Sequence, residues 1–199
     1  MTCFFESIPI RVNMIALMRS RGKIVPGSLR EDHNVFTITG RNWLSKLISW
    51  NAIAADDVPY TQRRVRWVGV GTGSQLEVTT VSALANPVIA RASPSQYLVP
   101  IDSLPTFPTS TSVEFAYEFA TTEITTGGVP VAVSEAGLFT DVNPAETAHK
   151  GIDDVEFSPT VPTTLDPSTT NNPPIAYKAF EPLVKTFDFT LQIRWTFRF

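Results

Sequence analysis

From Phe187 to Phe199 the chain alternates without a break. Phe187, Phe189, Leu191, Ile193, Trp195, Phe197 and Phe199 are apolar, and Asp188, Thr190, Gln192, Arg194, Thr196 and Arg198 between them are polar. Successive side chains on a strand point to opposite faces, so this run reads as a β-strand with one greasy and one wet face. Thirteen residues extend over roughly 40 Å, well beyond a typical strand. Seven large apolar side chains cannot be left in water, so the run is expected to pair within a sheet and cover a core. It therefore acts as a structural stave, which points to a built object before it points to a catalyst.

The same alternation recurs upstream. Val113, Phe115, Tyr117 and Phe119 share a face, with Glu114 and Glu118 opposite, and Gly127-Gly128 marks a turn before a returning strand over Val129–Phe139. Strand character starts at Arg64. Val65, Trp67, Val68 and Val70 lead into Gly69-Val70-Gly71-Thr72-Gly73-Ser74, Glu77–Ser82 is β-branched, and Val88–Ala92 continues past Asn86-Pro87. Residues 100–110, with Pro100, Pro105 and Pro108, read as a loop. One helix is expected at 40–50, capped by Thr39, with Trp43, Leu44, Leu47 and Ile48 on one face. Residues 1–38 read as an irregular N-terminal arm in which Ile8–Met18 fits strand or helix. The stretch 158–174 carries five prolines, five threonines and Asn171-Asn172 and reads as a long loop. The expected fold is all-β: one β-sandwich domain over 39–199, jelly-roll or Greek-key like, with one short N-terminal helix and extended arms.

Composition narrows the function. Charged residues are only 18% of the chain, against 43% hydrophobic and 16 prolines, which suits a β-protein that covers part of its surface with neighbours. The charges are segregated. Arg11, Arg19, Arg21, Lys23 and Arg30 face only Glu6 in the first thirty residues, whereas residues 95–175 hold eleven acids and Lys150. A basic end and an acidic middle can complement each other between copies in an assembly, the alternative being a solvated acidic loop face and a loose basic arm. Cys3 is the only cysteine, which excludes an intrachain disulfide and cysteine-built zinc sites. No secretion signal or membrane-length apolar run is expected.

Candidate chemistry is thin. His33 and His149 lie apart in polar segments. Asp153-Asp154-Glu156 offers hard oxygen ligands but lacks the spaced Asp/Asn/Gly pattern of a calcium loop. The alternating glycines of Gly69-Val70-Gly71-Thr72-Gly73 miss the spacing of a dinucleotide fingerprint, no nucleotide P-loop or Gly-x-Ser-x-Gly elbow occurs, and a turn using positive φ and close packing is the better reading. Arg63-Arg64, Arg66 and Trp67 form a basic patch too small for a nucleic-acid footprint on an acidic domain. Trp43, Trp50, Trp67 and Trp195 sit at core spacing rather than as a sugar platform. No catalytic, cofactor-binding or metal-binding residue is therefore assigned, and no cofactor is expected.

Five pieces in order carry a family resemblance: Gly40-Arg41-Asn42-Trp43-Leu44; Trp67-Val68-Gly69-Val70-Gly71-Thr72-Gly73; Ala83-Leu84-Ala85-Asn86-Pro87-Val88; Val133-Ser134-Glu135-Ala136-Gly137-Leu138-Phe139-Thr140; and Phe180-Glu181-Pro182-Leu183-Val184-Lys185-Thr186 with the terminal strand. Together they resemble small structural proteins of tailed bacteriophages, components of the tail, baseplate, collar and neck. The resemblance covers residues 40–140 and 176–199. It implies a non-enzymatic virion part, assembled in the host cytoplasm, that works through contacts with copies of itself and with portal, neck, tail or capsid proteins. A capsid decoration protein and a carbohydrate-binding, receptor-binding β-sandwich are the alternative expectations.

Overall fold

The C-terminal alternating run is the centre of a sheet. The computed structural model describes residues 10–41, 44, 65–92, 95–101, 105–125, 128–140 and 173–199. The first sheet is built on β1 (Arg11–Ser20), β2 (Lys23–Ile24), β3 (Arg30–His33), β9 (Thr106–Thr109), β10 (Ser112–Phe119) and β13 (Thr190–Arg198), in the order β2-β1-β13-β10-β9 with β3 also on β1. The second holds β4 (Val35–Phe36), β5 (Val65–Gly71), β8 (Leu98–Pro100), β11 (Val131–Thr140) and β12 (Ala176–Lys185), in the order β4-β12-β11-β5-β8. A two-stranded ribbon joins β6 (Arg91–Ala92) to β7 (Ser95–Gln96). All of these pairings are antiparallel, and the two sheets pack as an all-β sandwich.

Register explains the core. Residues opposite each other in an antiparallel pair share a face. Three strands therefore stack in rows: Val12–Phe197–Val113, Met14–Trp195–Phe115, Ala16–Ile193–Tyr117 and Met18–Leu191–Phe119. The four β13 members are each at most 2% exposed. Phe197 meets Phe36 and Phe115 edge-to-face at 5.8 and 5.9 Å. Val68, Val70, Val133, Ala136 and Leu138 face these rows from the second sheet.

The terminal strand is shorter than its alternation. Phe187 and Asp188 form the turn entering β13, and Phe187 is 55% exposed. Residues 11–36 are no arm: β1 pairs with β13 from Arg11↔Arg198 to Arg19↔Thr190. Ala16-Leu17-Met18 breaks strict alternation because Leu17 is buried too, and this disguised the strand. The β1–β2 hairpin turns on Arg21 and Gly22 at φ 50° and 78°, the pair of left-handed residues that matches strand twist. The helical turn starts at Ile38 with Thr37 as its cap, two residues before the expected Thr39. Thr37 Oγ1 accepts the Gly40 amide at 3.0 Å and donates to the Pro174 carbonyl at 2.7 Å, satisfying an orphan helix donor. Of the expected helix 40–50, Gly40, Arg41 and Leu44 are helical and the rest lies outside the described residues, as does 158–172 of the Pro/Thr-rich stretch.

Two further readings change. Thr106–Thr109, read as loop, is the exposed edge strand β9, where Pro108 is tolerated because an edge residue needs no second partner. Glu77–Ser82 and Val88–Ala90, read as strand, belong to an irregular excursion from 72 to 90. Their β-branched residues serve packing, described below.

The sandwich has two unlike ends. The β1–β2 hairpin, the link from β10 to β11 and the tight turn from β12 to β13 gather at one, the turn end. The starts of β1, β5 and β12 and the finish of β11 lie at the other, so residues 1–9, 45–64 and 141–172 all join the described chain there.

Candidate functional site: a buried carboxylate beneath the glycine-rich turn

Three of the sequence pieces singled out above converge on one side chain. Val133, Ala136 and Leu138 of β11 face the main core. Strict alternation would send Glu135 there as well. A β-bulge intervenes: Val133 pairs with Leu183 and Glu135 with Ala179, so Phe180-Glu181-Pro182 opposes Ser134 alone. Pro182, which could not donate to a regular ladder, sits in this irregularity. Ser134 and Glu135 both turn outward to meet Gly73. Ser134 Oγ donates to the Gly73 carbonyl at 2.7 Å, and the Gly73 amide donates to Glu135 Oε1 at 3.1 Å.

The Glu135 carboxylate is 0% exposed. Oε1 also accepts the Asn86 amide at 2.8 Å, and Oε2 accepts the Ala85 amide at 3.0 Å and the Tyr177 hydroxyl at 3.0 Å. Four donors around one carboxylate compensate its desolvation, and charge-assisted bonds of this kind are the strong ones. Burial and the facing carboxylate push the Tyr177 phenol above its ordinary range, which keeps it a donor.

This arrangement explains the alternating glycines. A Cβ at Gly71 or Gly73 would overlap Glu135 Oε1, and one at Gly69 would run into Leu98. None of the three has positive φ, so the expected left-handed turn is corrected: close packing alone demands glycine here. The excursion 72–90 folds back over the outer face of the second sheet. Thr72 N donates to Asn86 O at 2.9 Å, Gln75 Nε2 to Ala83 O at 2.6 Å and Val88 N to Val70 O at 3.0 Å. Val81 and Leu84 are thereby pressed onto Trp67, Leu98, Phe139 and Tyr177, a second core separate from the first. Gly137 leaves room for Phe139 and Leu84.

Other buried charges tie this unit to the sandwich. Lys178 Nζ lies 2.9 Å from Asp32 Oδ2 and 2.9 Å from Glu77 Oε1, linking β12 to β3 and to the excursion. Burial works against the Lys178 charge, and its two carboxylates outweigh that and hold it protonated. The Lys178 hydrogen bond in turn draws the Asp32 carboxyl below its usual range. Arg91 pairs with Glu123 at 2.5 Å and donates to Tyr117 Oη at 2.8 Å, fastening the ribbon to β10. Beside it Ile124, a β-branched residue, holds φ 68° while 1% exposed; such a backbone persists only where its surroundings over-determine it. Lys185 is also 0% exposed, and among the described residues it donates to the carbonyls of Thr121 at 3.1 Å and Thr186 at 2.8 Å. Burial pulls its ammonium down to about 8, with Glu123 opposing.

Among the described residues, those weighed for chemistry do not assemble. His33 is exposed, its Nδ1 2.7 Å from Asn13 Oδ1. Trp67 and Trp195 are core residues at 0% and 1% exposure. His149, Asp153, Asp154, Glu156, Arg63, Arg64, Trp43, Trp50 and Cys3 lie outside the described residues. Among the described residues no group of three His, Cys, Asp or Glu side chains could hold a metal, and no helix is long and apolar enough to cross a membrane. Sequence reasoning missed Glu135, Lys178 and Lys185. Charged side chains on strands ordinarily face solvent, and the only signal was Ser134-Glu135 standing inside an otherwise apolar run. Fully enclosed and saturated by four donors, Glu135 offers no free oxygen to a substrate; its work is to clamp the excursion onto the sheet. No family model, curated protein or solved structure matches this chain.

Proposed function

We propose that this protein is a non-enzymatic structural subunit of a bacteriophage virion, at the neck, collar, tail or baseplate, and that it acts through contacts between subunits. The observation that carries the reading is the convergence on Glu135. The resembling pieces 67–73, 83–88 and 133–140 are scattered in sequence, and their residues meet at one clamp, with the start of 180–186 opposite its bulge. Low charge and segregated polarity fit a chain surrounded by copies of itself.

Labelling purified particles that encode this chain with an antibody against it, viewed by electron microscopy, tests the proposal. Label confined to the neck, tail or baseplate is the expected result. Label over the whole capsid favours the decoration protein, and no label on intact or opened particles rejects a virion role.

A further inference from the structure

Two chain connections at the turn end close over Lys185. Its Nζ donates to the Thr121 carbonyl in the link from β10 to β11 and to the Thr186 carbonyl in the turn from β12 to β13. Among the described residues it makes no ion pair, so the amine is enclosed at 0% exposure against neutral oxygens. Glu123 is the charge that reaches it. That carboxylate is already held by Arg91 Nε, by the Tyr117 hydroxyl at 3.1 Å and by the Ala120 amide at 2.8 Å. Burial and Glu123 push the Tyr117 phenol above its ordinary range, so it remains a donor. β11 sets Val131 opposite Lys185, and Asp188 of the turn is exposed. An ammonium enclosed against carbonyls alone is poorly compensated for its lost hydration.

The link is itself strained. Ile124 holds φ 68° with a β-branched side chain, a conformation that relaxes once the segment is released. Three contacts oppose release. Ile124 is packed in the main core, its amide donates to the Ala90 carbonyl at 2.8 Å, and Glu123 is held by Arg91. The Glu123 amide also closes a turn on the Ala120 carbonyl at 3.1 Å. Backbone strain and burial therefore oppose each other within residues 120–125, and a segment balanced in this way responds to a single charge in contact with it.

We infer that residues 120–125 form a latch primed by Lys185: uncharged, the amine lets the link close over the end of β12, and protonated, it drives the link open to reach water. The proton then acts as a ligand that binds the open form more tightly than the closed one, and it shifts the equilibrium by that difference and no more. Burial pulls the closed-form amine down to about 8 against an ordinary 10.5. Opening is therefore favoured progressively as pH falls from 10.5 to 8, and the effect levels off below 8. At neutral pH the latch stands near its most readily opened state. The device is separate from the subunit reading and does not depend on it.

Hydrogen exchange on the full-length chain, followed by NMR at pH 7 and pH 9 and corrected for intrinsic rates, tests this. The amides of Ala120, Glu123 and Ile124 report the latch, and those of Leu191 and Ile193 on β13 report global unfolding. The link amides are expected to be about a hundredfold or more less protected than the β13 pair. Their protection is expected to rise about tenfold from pH 7 to pH 9, and in Lys185→Met that rise disappears. Link protection equal to that of β13 overturns the inference, because the link then opens only when the whole chain unfolds. Low link protection that ignores pH overturns it too, as does a rise that persists in Lys185→Met, which assigns the effect to another group. If Lys185→Met does not fold, the Lys185 side chain is titrated by NMR in the wild type. An amine that loses its proton near pH 8, alongside the rise in link protection, supports the latch, and one that titrates near the ordinary 10.5 overturns it.

Discussion

Glu135→Gln is a nearly isosteric change with a large expected cost. The wild-type carboxylate presents two acceptors to four donors: Gly73 N and Asn86 N on Oε1, Ala85 N and Tyr177 Oη on Oε2. A glutamine has one oxygen. Whichever way its amide is turned, an NH2 group faces two donors that then have no acceptor. Each buried donor left unsatisfied costs about 1–3 kcal/mol, so the pair amounts to about 2–6 kcal/mol. For a chain of this size about 1 kcal/mol moves the melting temperature by 2–4 °C, and the expected drop is roughly 4–24 °C. The sandwich rows do not depend on Glu135, so the loss is expected to be local. Hydrogen exchange read residue by residue is the assay: the amides of Gly73, Ala85 and Asn86 lose protection while those of β13 keep it. A double-mutant cycle adds a geometric check. Gly73→Ala destabilises the wild type because its Cβ overlaps the carboxylate, and it is expected to cost less once Glu135 is alanine. If Glu135→Gln leaves both the melting temperature and the protection of those three amides unchanged, the clamp is not what holds the excursion down, and the account of the glycines fails with it.

Three other outcomes follow from the same structure. Truncation after Thr190 removes Leu191, Ile193, Trp195 and Phe197, four fully buried side chains at about 1.5–3 kcal/mol each; their sum rivals the roughly 5–15 kcal/mol of a whole domain, and the product is expected in the insoluble fraction on expression. Lys185 has a folded value near 8 against an ordinary 10.5, so between these pH values the unfolded chain binds more protons and stability rises with pH, by about 2–3 kcal/mol; urea melts at pH 7.5 and pH 9.5 show the gain, and Lys185→Met abolishes it. Arg194, on the outer face of β13, reaches Glu114 only at 3.9 Å with a part-exposed side chain, so Arg194→Ala is expected to change stability by less than about 1 kcal/mol in a thermal melt.

The alternation at 113–119 and 191–198 settles a great deal without any tertiary information. A period of two with one apolar face has few solutions, and the all-β sandwich with β10 and β13 as long staves follows from it. What strict alternation could not mark was a strand buried on both sides of one stretch, and so β1, with Leu17 and Met18 both covered, was legible only as strand or helix. Local pattern also misjudged Glu77–Ser82 and Val88–Ala90, because β-branched residues pack equally well in an irregular segment when a sheet supplies the other surface. The packing requirement of Gly69, Gly71 and Gly73 was partly readable as close approach, but its cause was not. Glu135 lies 62 residues from Gly73 and 42 from Tyr177, and its outward turn depends on a bulge created by the partner strand at Phe180-Glu181-Pro182. Alternation is a property of one segment and is written in its residues. Which face a bulged residue takes, and which amides surround it there, depends on strands brought together from across the chain, and only the tertiary structure decides that.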